Sequence, residues 1–89
     1  MTEQLDIEFN NVVNIINNND SNDIKLNNEI LLFFYSHYKQ ATIGDCNISK
    51  PNFFDIKGNH KYDAWNKLKG MDKNTAKKIY INKFNELNK

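Results

Sequence analysis

Glu29-Ile30-Leu31-Leu32-Phe33-Phe34-Tyr35-Ser36-His37-Tyr38-Lys39-Gln40-Ala41-Thr42 is the stretch on which the fold turns. It is too long for an ordinary strand, Asn27 or Asn28 can cap its start, and Gly44 lies just past its end, so the pattern predicts a helix. The run is apolar most of the way round. Ile30, Phe33, Phe34 and Ala41 share one face, while Leu31, Tyr35, Tyr38, Lys39 and Thr42 lie on another. Two faces imply two tasks, one toward a core and one toward something else.

On the N-terminal side, Leu5, Phe9, Val12, Val13 and Ile16 fall on one helical stripe, which predicts a first helix. It runs into Asn17-Asn18-Asn19-Asp20-Ser21-Asn22-Asp23, side chains that hydrogen-bond their own backbone and favour a loop. On the C-terminal side, the chain from Ile43 to Gly58 shows neither helix nor strand period, and a loop of that length is often functional. Its Phe53-Phe54 pair is expected to pin the loop to the core. Lys61, Ala64, Trp65 and Leu68 then recur at helical spacing up to Gly70, a short third helix with Trp65 as its core anchor. Asp72 can cap a fourth, on which Ala76, Tyr80, Phe84 and Leu87 share a face flanked by Ile79 and Ile81. No strand is required, and the class read from the pattern is all-α.

Composition narrows the function. With 89 residues, 12 basic and 11 acidic side chains and a net charge of +1, the chain holds one domain and a modest core, which excludes a large multistep enzyme. All the basic residues are lysines, so no arginine fork is available to grip guanine edges, and nucleic acid is not expected as a partner. The single Cys46 cannot bridge within the chain, and two histidines form no cluster at metal-ligand spacing, so neither disulfide nor metal is expected. No run approaches a membrane span, and Met1-Thr2-Glu3-Gln4 does not resemble a secretory leader; cytosol is the expected compartment.

Catalysis requires a nucleophile, a base in reach and donors for developing charge. Ser36 and His37 are adjacent on a helix, where side chains diverge by roughly 100°, so no Ser/His couple is expected. The three glycines form no phosphate loop. Cys46 with a histidine would be a thiol hydrolase, the weakest of the readings. Binding is better supported: Tyr35, Tyr38 and Lys39 place two phenols and an ammonium within two turns of one face. Tyrosine rings stack on flat heterocycles, their hydroxyls donate to phosphate, and lysine offers a point charge to an anion. The same residues also suit an ordinary half-buried helix face with a lysine stem laid over it. Tyr80, on the core face of the last helix, is a buried phenol whose hydroxyl needs a partner. Lys57 and Lys61 read as solvated charge on spacing alone, and so does the Lys77-Lys78 pair.

Tyr35-Ser36-His37-Tyr38-Lys39-Gln40-Ala41-Thr42-Ile43-Gly44-Asp45 resembles the signature stretch of the acyl-CoA-binding protein family. Lys61-Tyr62-Asp63-Ala64-Trp65-Asn66-Lys67-Leu68-Lys69-Gly70 is similar to that family's second block, and Ala76 through Tyr80-Ile81-Asn82-Lys83 to Leu87 to its last helix, so the likeness spans the chain. The resemblance implies one domain over residues 1–89. It implies a four-helix bundle of up-down-down-up topology with a long loop between the second and third helices. It further implies binding of medium- to long-chain fatty acyl-CoA without turnover or cofactor, by a monomeric carrier that meets acyl-CoA-using enzymes or membranes transiently.

Carried over by position, Tyr35 would stack near the adenine, and Tyr38 and Lys39 would serve the 3′-phosphate and ribose. Lys61 would be a second cation, Tyr80 a hydroxyl donor and Lys57 a peripheral contact. Ser36 and His37 fall within the binding stretch, with directions that suit packing. Three departures stand out: Tyr62 occupies a usual tryptophan position, Asn17 or a neighbour stands where many members carry a lysine, and the Asn17 to Asn28 connection is longer than usual. The physics agrees, since a polyanionic head on an alkyl chain needs a cationic rim joined to an apolar groove, which Leu31 and the first-helix stripe can supply. The alternative the resemblance allows is the precursor of a signalling peptide released without a leader, or a protein-interaction module.

Overall fold

Side chains from the loops start three of the four helices by accepting the backbone N–H groups that a first helical turn leaves unpaired. Asn27 Oδ1 accepts from Ile30 N at 2.8 Å, Asp55 Oδ1 from Gly58 N at 2.9 Å and Asp72 Oδ2 from Thr75 N at 3.1 Å. The helices are α1 (Thr2–Asn17), α2 (Asn28–Thr42), α3 (Ile56–Asn66) and α4 (Lys73–Leu87), in a computed structural model that describes residues 2–18 and 27–88. There is no strand among the described residues. Most of the Asn-rich connection expected between Asn17 and Asn28 lies outside them.

The third helix begins well before the residues whose spacing announces it. Its first turn is exposed, so it carries no apolar period, and its third position is Gly58. A Cβ at Gly58 would collide with the capping carboxylate of Asp55. A residue that reads as a loop former is therefore what lets the cap close. The helix ends at Asn66, and the chain turns on to Gly70, whose φ of 91° suits a residue without a Cβ.

Side-chain contacts fix the direction of every helix. Asp6 meets Lys77 and Phe9 meets Tyr80, so α1 and α4 run the same way. Tyr35 meets Lys61 and Trp65 meets Lys39, so α2 and α3 are also parallel. Phe33 meets Lys83 while Gln40 meets Met71, which makes α2 and α4 antiparallel. The bundle is up-down-down-up. α2 packs on α3 and α4, and α1 packs on α4. Its core is an aromatic cluster in which the Tyr80 ring meets Phe9 at 5.1 Å and Phe34 at 4.8 Å, both edge to face. Val12, Ala41, Ala76, Ile81 and Phe84 complete it. Each edge-to-face pair adds roughly 0.5–1.5 kcal/mol to the area it buries.

Parallel α2 and α3 require the chain to travel back the length of a helix through residues 43–55, and two polar ties hold this crossover. Gly44 has a φ of 104°, the left-handed geometry that closes α2, and its carbonyl accepts the Trp65 indole N–H at 2.8 Å. Gln40, fully buried, donates from Nε2 to Asp45 Oδ1 at 2.9 Å and to the Met71 carbonyl at 2.8 Å. The same Asp45 oxygen accepts the Gly70 N–H at 2.8 Å, and these bonds hold the Asp45 carboxyl below the ordinary carboxylate range. Trp65 is the anchor its spacing predicts.

Two expectations are overturned. Phe53 and Phe54 do not pin the crossover to the core: they are 76% and 78% exposed, because backbone and Asn side-chain bonds already shape that turn. Lys77 is not solvated charge either. Its ammonium lies 2.6 Å from Asp6 and 5.9 Å from the centre of the Phe9 ring, and its stem covers the α1–α4 seam.

Trp65→Phe removes the indole donor and leaves the Gly44 carbonyl short of a partner. The expected cost is about 2 kcal/mol, a fall of order 10 °C in the thermal midpoint for a domain this size. An unchanged midpoint by circular dichroism would mean that the tie contributes nothing.

Candidate functional site

α2 presents Asn28, Leu31, Leu32, Tyr35 and Tyr38 at helical intervals along one side, and α3, parallel to it, presents Lys57, His60 and Lys61. Between them lies a cavity of about 550 Å³, closed at the bottom by Phe34 and Tyr80 and at one end by Ile16 and Asn17 of α1. One side is therefore cationic and the floor is apolar.

Electrostatics converge on one ring. Lys61 Nζ stands 5.3 Å and Lys39 Nζ 5.8 Å from the centre of Tyr35, and Lys39 is also 5.8 Å from the Trp65 ring. Both distances fall within cation–π reach. Burial, followed by the nearby Cys46 thiol, raises the Tyr35 phenol above its usual range, so it keeps its proton. Among the described residues the ion pairs are Lys50–Asp63, Lys77–Asp6 and Lys83–Glu86. Lys39, Lys57 and Lys61 have no carboxylate partner there. Two ammonium groups on the cavity wall and a third beside Tyr35, none with a carboxylate partner among the described residues, have the chemistry to receive an anion that carries a hydrophobic part.

Tyr38, 38% exposed, lies stacked on Phe9 with ring centres 6.2 Å apart, which holds the phenol at the cavity edge. Tyr80 is 2% exposed and lines the cavity. Burial first, then the neighbouring Tyr38 phenol, pushes its pKa up to about 12. The phenol of this lining residue therefore keeps its proton.

Ser36 and His37 are not brought to this cavity. Both are buried, and the imidazole stacks on Phe33 at 4.1 Å. The two side chains meet, contrary to expectation, with Ser36 Oγ 3.3 Å from His37 Nδ1. They converge because both bond the Phe33 carbonyl, Oγ at 3.0 Å and Nδ1 at 2.8 Å. With Nδ1–H donating to that carbonyl, the imidazole offers the hydroxyl no base. Burial also holds His37 below its usual pKa and therefore neutral.

The structure brings Tyr35, Tyr38, Lys57, Lys61 and Tyr80 together around one space, with Lys39 beside Tyr35. Of the first-helix stripe only Ile16 reaches the cavity, since Phe9 and Val12 are used in the core. His60 and Leu32 carry no role from the sequence, and Phe34, given there to the core face, serves both the core and the cavity. The signal for His60 was present, because 57, 60 and 61 share a helical face, but it was hidden while α3 was read as starting near Lys61.

A family model described as acyl CoA binding protein matches residues 6–84. The acyl-CoA-binding domain-containing protein 6 homolog of Dictyostelium discoideum is 43% identical over 84 residues, which is 94% of this chain and 29% of that protein. The acyl-CoA-binding domain-containing protein 5 of Xenopus laevis is 47% identical over 60 residues, 67% of this chain and 13% of that protein. The chain thus spans less than a third of the curated relatives it matches. Among solved structures, the crystal structure of ACBP from Moniliophthora perniciosa superposes with a TM-score of 0.87 at 36% identity, covering 92% of this chain and 78% of that one. Oryza sativa acyl-CoA-binding protein 2 gives 0.82 at 32% identity, covering 93% and 89%.

Because the Tyr80 phenol binds its proton more tightly folded than unfolded, its contribution to stability is complete below about pH 10 and is lost as the pH rises toward 12. Ultraviolet titration should show Tyr80 ionising last of the four tyrosines, with Tyr35 also above the ordinary value, and Tyr80→Phe should abolish the latest phase. Simultaneous ionisation of all four near the ordinary value would contradict the burial argument.

Proposed function

The chain belongs to the acyl-CoA-binding protein family, and on that footing we propose that it binds medium- to long-chain fatty acyl-CoA thioesters and carries them without consuming them. The observation that carries the reading is the trio of unpaired ammonium groups beside a cavity with an apolar floor. A nucleotide head with several phosphates satisfies Lys39, Lys57 and Lys61. A flat heterocycle finds the Tyr35 ring, and Tyr38 and Tyr80 offer hydroxyls to phosphate or ribose oxygens. The alkyl chain then follows Leu31, Leu32, Phe34 and Ile16. His60, on the same face as Lys57 and Lys61, adds a hydrogen-bond donor to the phosphate side.

What surrounds these groups supports transport over turnover. The Ser36 hydroxyl is bonded to a backbone carbonyl inside the core, away from the cavity, and the bound thioester would be sheltered from water. A carrier of this kind buffers free acyl-CoA in the aqueous phase and keeps an amphiphile from partitioning at random.

Two measurements test the reading. In titration calorimetry, Lys39→Ala should weaken palmitoyl-CoA binding by one to two decades with an unchanged melting curve, since a charge-assisted hydrogen bond contributes about 1.5–3 kcal/mol. Wild-type affinity in that variant would remove Lys39 from the site. Lengthening the acyl chain by two carbons should tighten binding by about 1.6 kcal/mol until the groove is filled, at ~0.8 kcal/mol per buried methylene. An affinity indifferent to chain length would show that the tail stays in water.

A further inference from the structure

Among the residues that line the cavity, His60 carries the one type of side chain whose charge ordinarily changes near neutral pH. Lysine and tyrosine keep a single form between about pH 5 and 8. The groups of those kinds that share the lining are Lys57 and Lys61 on α3, Tyr35 and Tyr38 on α2, and Tyr80 on α4, while α1 contributes only Ile16 and Asn17. Burial raises the Tyr35 and Tyr80 phenols above their usual range, so neither gives up a proton there. The Cys46 thiol of the crossover lies near Tyr35 but outside the lining.

No carboxylate is part of the lining. The acids on α3 and its cap are engaged elsewhere, Asp63 with Lys50 Nζ at 3.3 Å and Asp55 with the Gly58 N–H at 2.9 Å. His60 thus has no anion of the cavity to answer to. It is exposed at the mouth, where a proton can reach it from solvent. The other histidine is silent in the same interval, because His37 is buried and burial holds it neutral.

Positions 57, 60 and 61 share a helical face, so the imidazole stands beside two ammonium groups. A neutral imidazole offers one N–H donor; the protonated ring offers two and a positive charge. Hydrogen bonds from a charged donor to phosphate are about twice as strong as neutral ones. A polyanion therefore binds the protonated ring more tightly, and by reciprocity its arrival draws a proton onto that ring.

We propose that His60 is a proton-dependent contact to the phosphates of the bound ligand, adding most to affinity at acidic pH and little at alkaline pH. The proposal rests on the acyl-CoA reading and gives that site a regulation that lysines alone cannot supply. The ligand works in the opposite direction: a phosphate monoester has its second pKa near 6, so the head loses negative charge as the pH falls. His60 gains a charge over the same interval, and the site keeps its hold on a weaker anion.

The test compares wild type, His60→Gln and His60→Lys in titration calorimetry with palmitoyl-CoA between pH 8 and pH 5.5. The titration of the ligand is common to all three, so ratios of affinity isolate residue 60. The advantage of wild type over His60→Gln should grow about tenfold from the alkaline to the acidic end. His60→Lys, whose charge is permanent, should exceed His60→Gln by a ratio that pH does not move. In buffers of different ionisation heat near pH 6.5, wild type should take up more protons per ligand bound than His60→Gln. Melting curves should coincide, since the side chain is exposed. A wild-type advantage that stays constant with pH, or equal proton uptake, overturns the proposal and leaves the acyl-CoA reading standing. Absence of binding in all three proteins at every pH overturns both.

Discussion

The parallel course of α2 and α3 is the constraint from which the site follows. With the two helices running the same way, Lys61 of α3 arrives at the Tyr35 ring that Lys39, one turn on along α2, already faces, and the α2 stripe faces the lysines of α3. A short hairpin would have reversed that register. The chain accepts a long connection instead, and the entropy of ordering it is offset by fixed points: the indole N–H on the Gly44 carbonyl, and the buried Gln40 joining Asp45 to Met71. Neither Trp65 nor Gln40 lines the cavity, yet their bonds fix the crossover that sets the helices whose residues do.

The same economy appears in the core. Tyr80 closes the aromatic cluster with its ring and lends its hydroxyl to the cavity floor, so packing and recognition share one side chain. Its burial is what keeps the phenol a donor. Tyr38 is fixed in a comparable way by stacking on Phe9. A ligand would meet groups already held in position, and less conformational freedom is lost when it arrives.

Much of this was legible in the residues. The α1, α2 and α4 faces follow from 3.6-residue periodicity because each buries a continuous apolar stripe, and Asn27 and Asp72 announce their helices by chemistry. The paired faces of α2 are only partly kept apart: Leu31, Tyr35 and Tyr38 line the cavity as their spacing indicates, while Phe34 of the core face lines it too. The start of α3 was not legible, since its first turn packs on nothing apolar and Gly58 resembles a break until the Asp55 carboxylate is seen beside it. Phe53 and Phe54 misled for the opposite reason: hydrophobicity reports what a side chain favours, not whether the fold has room for it. Ser36 and His37 fall within the binding stretch by sequence, and the packing that their directions along the helix suit is what turns them toward Phe33. Long-range pairings such as Gln40 with Met71 leave no local trace at all.

The three lysines without counter-ions have a kinetic meaning as well. An empty cleft ringed by like charge repels itself, and its field reaches into solvent for about a Debye length, some 8 Å at physiological ionic strength. A polyanion feels that pull before it touches the surface, whereas an alkyl tail feels nothing until water has been squeezed out. For a ligand of the proposed kind, capture and release would thereby be governed by different halves of the same amphiphile: salt concentration would set how fast it is caught, and tail length how long it stays.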